Sequence, residues 1–337
     1  VESEALMPAT EPATPTRSGH GGPQNLDRFR ADVARIIDVY PHQPVFPLFV
    51  ELRELRDRAL KVLERRVPAE HARDWFRTAG LACAAMSTAA FDLGHPTAAE
   101  AQARTAFQCA EQAGDDALRC WIRGTQSLVA YWDDRGRDAV ELARDGLRYP
   151  PESGTAAVRL AAIEARAHAR LGDAHAAERA LTRAEQAREE VAEADVPGGM
   201  MEFPVAKQYA YASSTALWLG GQVGLAHAER DAITAIAGYA QEPPERQRVG
   251  ELCLARLDLA EVRLRARDLD GAAEQVDLVL VAATARRTEA VLRRLRRLGR
   301  SLERTPLQAA PAAVRLRDQI GSFCAARGVS PLVGQPL

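Results

Sequence analysis

Lysine is nearly missing from this chain: of 44 Lys and Arg residues, only Lys61 and Lys207 are lysine. The other cations are arginine, a bias that reads as a GC-rich coding sequence rather than a binding adaptation. They meet 46 Asp and Glu, for a formal net charge of -2. Without a positive excess, neither direct nucleic-acid binding nor membrane-surface binding is expected of this chain. Aromatic residues make up only 5%. β-Branched residues are sparse and Ala, the best helix former, is abundant, which argues against an all-β fold. No apolar run reaches the about 18 residues of a membrane-spanning helix. The first 25 residues lack the basic start and apolar core of a signal peptide.

Other absences exclude chemistry. The five cysteines (Cys83, Cys109, Cys120, Cys253 and Cys324) are odd in number and show no C-x-x-C spacing. They read as buried free thiols of a reducing cytoplasm rather than disulfides or zinc ligands. The seven histidines form no H-E-x-x-H cluster, so no metal site is expected. The glycine loops GQVG (221–224), GGPQ (21–24) and GGMM (198–201) do not follow strands, and no G-x-S-x-G is present. A dinucleotide site and a hydrolase nucleophile elbow are therefore not expected. No cofactor and no enzymatic activity is expected.

What the sequence has is a repeat. Short turns fall at Gly94, Asp134, Gly172, Gly221 and Arg267, spaced 40, 38, 49 and 46 residues apart. Seven residues before each anchor stands a small residue: Ser87, Ser127, Ala165, Ser214 and Ala260. Five after each stands Ala: Ala99, Ala139, Ala177, Ala226 and Ala272. Twelve after come Ala106, Gly146 and Ala184, then Ile233 and Val279. Two helices joined by a tight turn approach closely only where side chains are small. Each such pair leaves an apolar face that a neighbouring pair must cover. The pattern is similar to the tetratricopeptide repeat in its small positions and its turn, with longer spacings and few of its bulky aromatic positions. The expectation is an all-α, tetratricopeptide-like α-solenoid of stacked helical hairpins.

The flanks divide accordingly. Residues 1–25, rich in Pro, Thr, Ala and Gly, read as a disordered tail. Residues 26–78 read as N-terminal capping helices, 26–40 and about 49–67, broken by Pro41, Pro44 and Pro47. Residues 79–283 hold about five hairpins. Residues 284–337 hold C-terminal capping helices, 286–304 and about 309–326, and a tail. The arginines of 286–304 read as a solvated face rather than a nucleic-acid footprint, and the acidic stretch 185–195 as a solvated helix end. The interruption at 191–203 reads as a plug of Met200, Met201 and Phe203 against the third hairpin, or as a loop that contacts ligand.

In a stack of helical hairpins the first helix of each pair lines the concave side. The inward positions of the repeat place Trp121, Tyr131 and Trp132 on that side in the second hairpin. They place Arg159, Arg166 and Arg170 there in the third, and Gln208, Tyr211 and Trp218 in the fourth, with Lys207 beside Tyr211. Arginine stacks on aromatic rings and forks onto carboxylates. Two readings stand: these residues form a ligand-binding groove, or the aromatics fill the core between helices.

The segments AAFDLGHPTAAEAQARTAFQCAEQAGD (89–115), GGMMEFPVAKQYAYASSTALWLG (198–220) and ARLDLAEVRLRARDLDGAAE (255–274) carry a resemblance. From about residue 27 onward the chain resembles the C-terminal tetratricopeptide region of actinobacterial XRE-family transcriptional regulators. In that family a helix-turn-helix domain binds DNA, and the repeats sense, dimerise or contact proteins. Residues 1–25 carry no helix-turn-helix pattern, so the resemblance implies a regulatory role without DNA binding by this chain. The expected function is a non-enzymatic cytoplasmic sensor or interaction module. It would take a peptide, a protein or a small effector in its groove, with a homodimerising scaffold as the alternative.

Overall fold

The computed structural model describes residues 23–65, 67–149 and 154–326. Most of the expected N-terminal tail, up to residue 22, and the C-terminal tail beyond residue 326 lie outside the described residues. Among the described residues the chain is all-helical. α1 (Pro23–Val39) and α2 (Val45–Leu63) come first. Pro44 precedes α2 and Pro47 sits inside its first turn. Only the chain before Val45 is therefore broken, because a first-turn proline lacks an N–H that would be unpaired in any case.

Five helical hairpins follow: α3 (Ala69–Asp92) with α4 (Pro96–Ala113), α5 (Asp116–Trp132) with α6 (Gly136–Gly146), and α7 (Ala156–Arg170) with α8 (Ala174–Glu189). Then come α9 (Val205–Leu219) with α10 (Gly221–Ala240), and α11 (Val249–Arg265) with α12 (Leu269–Ala282). The chain of helices ends with α13 (Glu289–Arg304) and α14 (Pro311–Ala325). Each helix packs on its hairpin partner and on the next pair, in the manner of an α-solenoid. Among the described residues no helix is long and apolar enough to cross a membrane.

The turns explain the hairpins. All five anchors, Gly94, Asp134, Gly172, Gly221 and Arg267, have positive φ. In four of them the next residue's N–H closes the helix end in the same way: His95 onto the Ala90 carbonyl, Arg135 onto Ala130, Asp173 onto His168 and Asp268 onto Arg263. This is the left-handed helix stop that glycine adopts without strain, here also taken by Asp134 and Arg267.

The small-residue slots pack as the register requires in four hairpins. Ser87 Oγ donates to the Ala99 carbonyl at 2.8 Å and Ser127 Oγ to the Ala139 carbonyl at 2.6 Å. Ala165, Ala177, Ala260 and Ala272 are buried. The fourth hairpin corrects the expected register. Ala226 is exposed, and Ser213 Oγ donates instead to the Ala228 carbonyl at 2.8 Å, with Ala235 buried one heptad on. Ile233 is 47% exposed. The physical reason is its turn: α9 ends on the Gly220 N–H bond to the Ala216 carbonyl, without the five-residue closure of the others, so α10 enters two residues out of phase.

The plug segment splits between neighbours. Phe203 is fully buried against α7 residues Val158 and Ala162 and against Tyr211, while Met200 and Met201 pack on the core of α1 to α3. Gly199 has φ +60, and a Cβ there would lie 2.2 Å from the Ile37 carbonyl oxygen, so only glycine lets this loop touch α1. The acidic stretch before it is not wholly solvated. Asp195 accepts hydrogen bonds from Thr155 N–H at 2.9 Å and Thr155 Oγ1 at 2.6 Å.

The stack also curls back on itself. α13 packs against α3 as well as α11. Arg286, just before α13, donates to the Gln43 carbonyl, stacks 4.8 Å over the Tyr40 ring and pairs with Asp92 at 3.5 Å. Arg293 donates to the Trp132 carbonyl. The expected solvated face is thus wrong for Arg286 and Arg294, which are 7% and 8% exposed. Arg286 faces the N-terminal helices across the bend, and Arg294 pairs with Asp258 of α11, rather than facing water.

Candidate functional site

The curl turns the concave side into a chamber. Its walls come from the first helix of every hairpin, α3, α5, α7, α9 and α11, closed by α1 and α13. About 150 Å³ is open to the centres of water molecules. At roughly 30 Å³ for each water in the liquid this is room for about five.

Two arginines of α7 dominate one wall. Both are buried. Arg159 donates to the Trp121 carbonyl at 2.8 Å and to Thr125 Oγ1 at 3.0 Å, and lies 4.6 Å from the Trp121 ring centre. Gly124 makes room for it, since a Cβ there would stand 2.9 Å from its guanidinium. Burial pushes Arg159 below the usual guanidinium range. Arg166 is held between rings, 4.2 Å from Tyr131, 4.1 Å from Tyr211 and 5.5 Å from Trp132. It is 4% exposed and its Nε has no hydrogen-bond partner. Among the described residues neither arginine has a carboxylate within ion-pairing distance.

The facing walls are charged too, but there each acid has its cation. Asp92 accepts from the Tyr40 hydroxyl at 2.8 Å and pairs with Arg286. Burial pushes its carboxyl up, against the pull of Arg286. Glu251 pairs with Lys207 at 2.7 Å and accepts from the Tyr239 hydroxyl at 3.0 Å, with Arg248 at 3.8 Å. Burial raises Glu251, yet Lys207 and Arg248 outweigh it and hold the carboxyl below its ordinary value. Asp258 pairs with Arg294. The chamber's surplus charge is therefore the α7 pair. A buried cation without a counter-ion is expensive, and proteins normally pair it.

Two further polar atoms on the chamber wall lack partners, Trp121 Nε1 and Thr88 Oγ1. With Arg166 Nε they give the chamber three hydrogen-bonding atoms unused by the protein. Most of the rest of the lining is apolar or aromatic, including Phe91, Leu128, Val129 and Leu254, with Thr125, Ser214 and Thr288 among it. The arrangement can hold a compact molecule with an anionic end and an apolar body.

The residues expected on one groove divide between two places. Trp121, Trp132, Arg159, Arg166, Lys207 and Tyr211 line the chamber. Tyr131, Arg170 and Trp218 line an adjoining pocket, which Trp132 also borders. Gln208 lines neither and accepts from Arg188 Nε at 2.9 Å. The two readings of the aromatics are both realised in Trp121, which is 3% exposed, packs with Ile122 and Leu118, and still presents one face to the chamber.

Sequence reasoning missed Tyr40, Glu251, Asp258, Arg286 and Arg294. Asp258 and Glu251 sit among the inward positions of α11, one helical turn from Leu254, and that spacing was the available signal. Nothing local marks Tyr40 or Arg286, which reach the chamber only through the curl. Among the described residues no group of three His, Cys, Asp or Glu is placed to hold a metal ion. Burial pushes the thiols of Cys83, Cys120 and Cys253 up to about 12, which suits packing rather than nucleophilic chemistry.

Compared with protein-family models, the chain matches none, and none of the curated proteins matches it.

Proposed function

We propose that this chain is a non-enzymatic, tetratricopeptide-like sensor module of a regulatory protein, and that its chamber holds a small amphipathic organic anion. The observation that carries this reading is Arg166, a buried guanidinium clamped by two tyrosine rings with no carboxylate to neutralise it. The ligand's anionic end sits against Arg166, beside Arg159 and the Trp121 indole N–H. Its apolar body rests on Phe91, Leu128 and Leu254. The chamber's size favours a small ligand over a folded partner. The repeat register and the resemblance to XRE-family regulators support the regulatory setting. Ligand binding across all the hairpins would tighten the curl, and that tightening is the signal passed to a partner domain or protein.

The test is calorimetric titration of the full chain with a panel of short aliphatic and aromatic carboxylates. Saturable one-to-one binding is expected for at least one member, weakened tenfold or more in Arg166→Met, about the 1.5–3 kcal/mol of a charged hydrogen bond. Binding that survives Arg166→Met unchanged, or no saturable binding across the panel, overturns the reading.

A further inference from the structure

Beside the chamber lies a second pocket of about 300 Å³, on the other side of the wall made by Trp132 and Arg294. It gathers six guanidiniums, from Arg170, Arg293, Arg294, Arg296, Arg297 and Arg300, against two carboxylates, Asp134 and Glu289. Asp134 pairs with Arg170, and Glu289 with Arg293 at 2.9 Å and Arg296 at 3.4 Å. Arg294 is already matched by Asp258 outside the pocket. Among the described residues Arg297 and Arg300 have no carboxylate within ion-pairing distance. Three positive charges are left without a counter-charge.

Arg170, Arg293 and Arg297 are held in place rather than free. The Trp218 ring carries Arg297 at 3.5 Å and Arg170 at 4.9 Å. Arg293 and Arg170 are anchored on the carbonyls of Trp132 and Tyr131. Like charges fixed together repel, and partial burial sharpens the repulsion. Burial, with the charges of Arg265 and Arg170, pushes Arg297 below the usual guanidinium range despite the pull of Glu261. A fixed cluster of this kind is matched by a ligand of high negative charge density. One phosphate monoester brings about 1.5 to 2 negative charges, so balancing three takes two linked phosphates.

We infer that this pocket is a binding site for a di- or triphosphate chain, with Arg297 and Arg300 as the arginines that fork onto it. The site is separate from the carboxylate chamber and does not depend on that assignment. A compact phosphate chain is favoured over duplex nucleic acid. The arginines converge on a concavity instead of running along an open face, and the Trp218 indole is already covered by the guanidiniums of Arg297 and Arg170. The source of the phosphates is either a nucleotide or an inorganic polyphosphate, which share this chemistry.

The experiment is titration of the full chain with sodium pyrophosphate, tripolyphosphate, ATP, monophosphate and a short DNA duplex, at matched ionic strength, followed by calorimetry and Trp fluorescence. Pyrophosphate and tripolyphosphate are expected to bind one-to-one, at least tenfold tighter than monophosphate. ATP equal to tripolyphosphate assigns recognition to the phosphates alone, and tighter ATP assigns a nucleotide; both support the site. Arg300→Gln, at an exposed and unpaired residue that the fold does not need, is expected to weaken binding at least threefold, and Arg297→Gln at least tenfold. Polyphosphates no tighter than monophosphate, binding unaffected by both Arg297→Gln and Arg300→Gln, or binding of the duplex alone would each overturn the inference.

Discussion

Trp218 donates its indole N–H to the Tyr131 hydroxyl at 2.8 Å, although 87 residues separate them in sequence. That bond ties α5 to α9 across α7 and places the phenol among cations. Burial alone would push the Tyr131 phenol up. The guanidiniums of Arg166, Arg294 and Arg170, together with the Trp218 bond, outweigh it and bring the phenol down to about 8. One of the six tyrosines is therefore expected to ionise near pH 8, seen as phenolate absorbance that vanishes in Tyr131→Phe. Because the folded value lies below the unfolded value of about 10, the folded state sheds this proton first. The Tyr131 contribution to stability rises with pH between about 8 and 10, by about 1–3 kcal/mol, and is complete above 10. Tyr40 and Tyr239 are pushed well above 10, first by burial, so they do not titrate in that window. A phenolate titration with no component below pH 9 would contradict this account.

The pair Lys207–Glu251 makes a second, oppositely placed pH dependence. The Glu251 carboxyl is held below its ordinary value in the folded protein. Its contribution is present above the unfolded pKa of about 4.3 and is lost as pH falls through the lower folded value. Glu251→Gln is expected to cost about 3 kcal/mol at neutral pH, because it leaves Lys207 unpaired and removes one of three carboxylates around Arg248. Chemical denaturation at neutral and at acid pH checks this: the gap between wild type and variant should close in acid.

The position of the small-residue slots is testable in the hairpin where register slipped. Ala177→Leu should overpack a fully buried site between α7 and α8 and destabilise by about 1–3 kcal/mol or more. Ala226→Leu, at the same register position of the fourth hairpin, should change stability by about 0.5 kcal/mol or less, because Ala226 is exposed. Ala228→Leu should behave like Ala177→Leu. Equal losses at Ala226 and Ala177 would restore the uniform repeat.

That contrast shows where sequence was sufficient. The hairpins were legible because each turn residue and each buried Ala or Ser acts within about 20 residues, which local periodicity records. The α7 arginines were legible for the same reason: Arg159, Arg166 and Arg170 fall at inward positions counted from Gly172. The slip to Ala228 was not, since it depends on how α9 stops at Gly220. The closing of the groove was not either. It rests on Arg286 meeting Gln43 and Asp92, contacts between residues about 200 or more apart that no periodicity encodes.

Arg166 offers the sharpest separation of stability from function. Its guanidinium is buried, stacked on Tyr131 and Tyr211, and lacks a carboxylate among the described residues. Replacing a buried charge by an apolar side chain of similar length is often neutral or stabilising by about 1–4 kcal/mol. Methionine fills irregular space and keeps contact with the rings. Arg166→Met is therefore expected to match or exceed the wild-type melting temperature without ligand, while losing the ligand-induced rise. Arg159→Met should behave differently. It removes the donors to the Trp121 carbonyl and to Thr125 Oγ1, leaving the buried Thr125 oxygen without a donor and the Trp121 carbonyl with only the longer Thr125 hydroxyl bond at 3.4 Å beside its helix, at about 1–3 kcal/mol. Thermal unfolding of both variants decides the matter: a destabilised Arg166→Met would make that arginine a structural member of the aromatic cluster instead of a charge held ready for an anion.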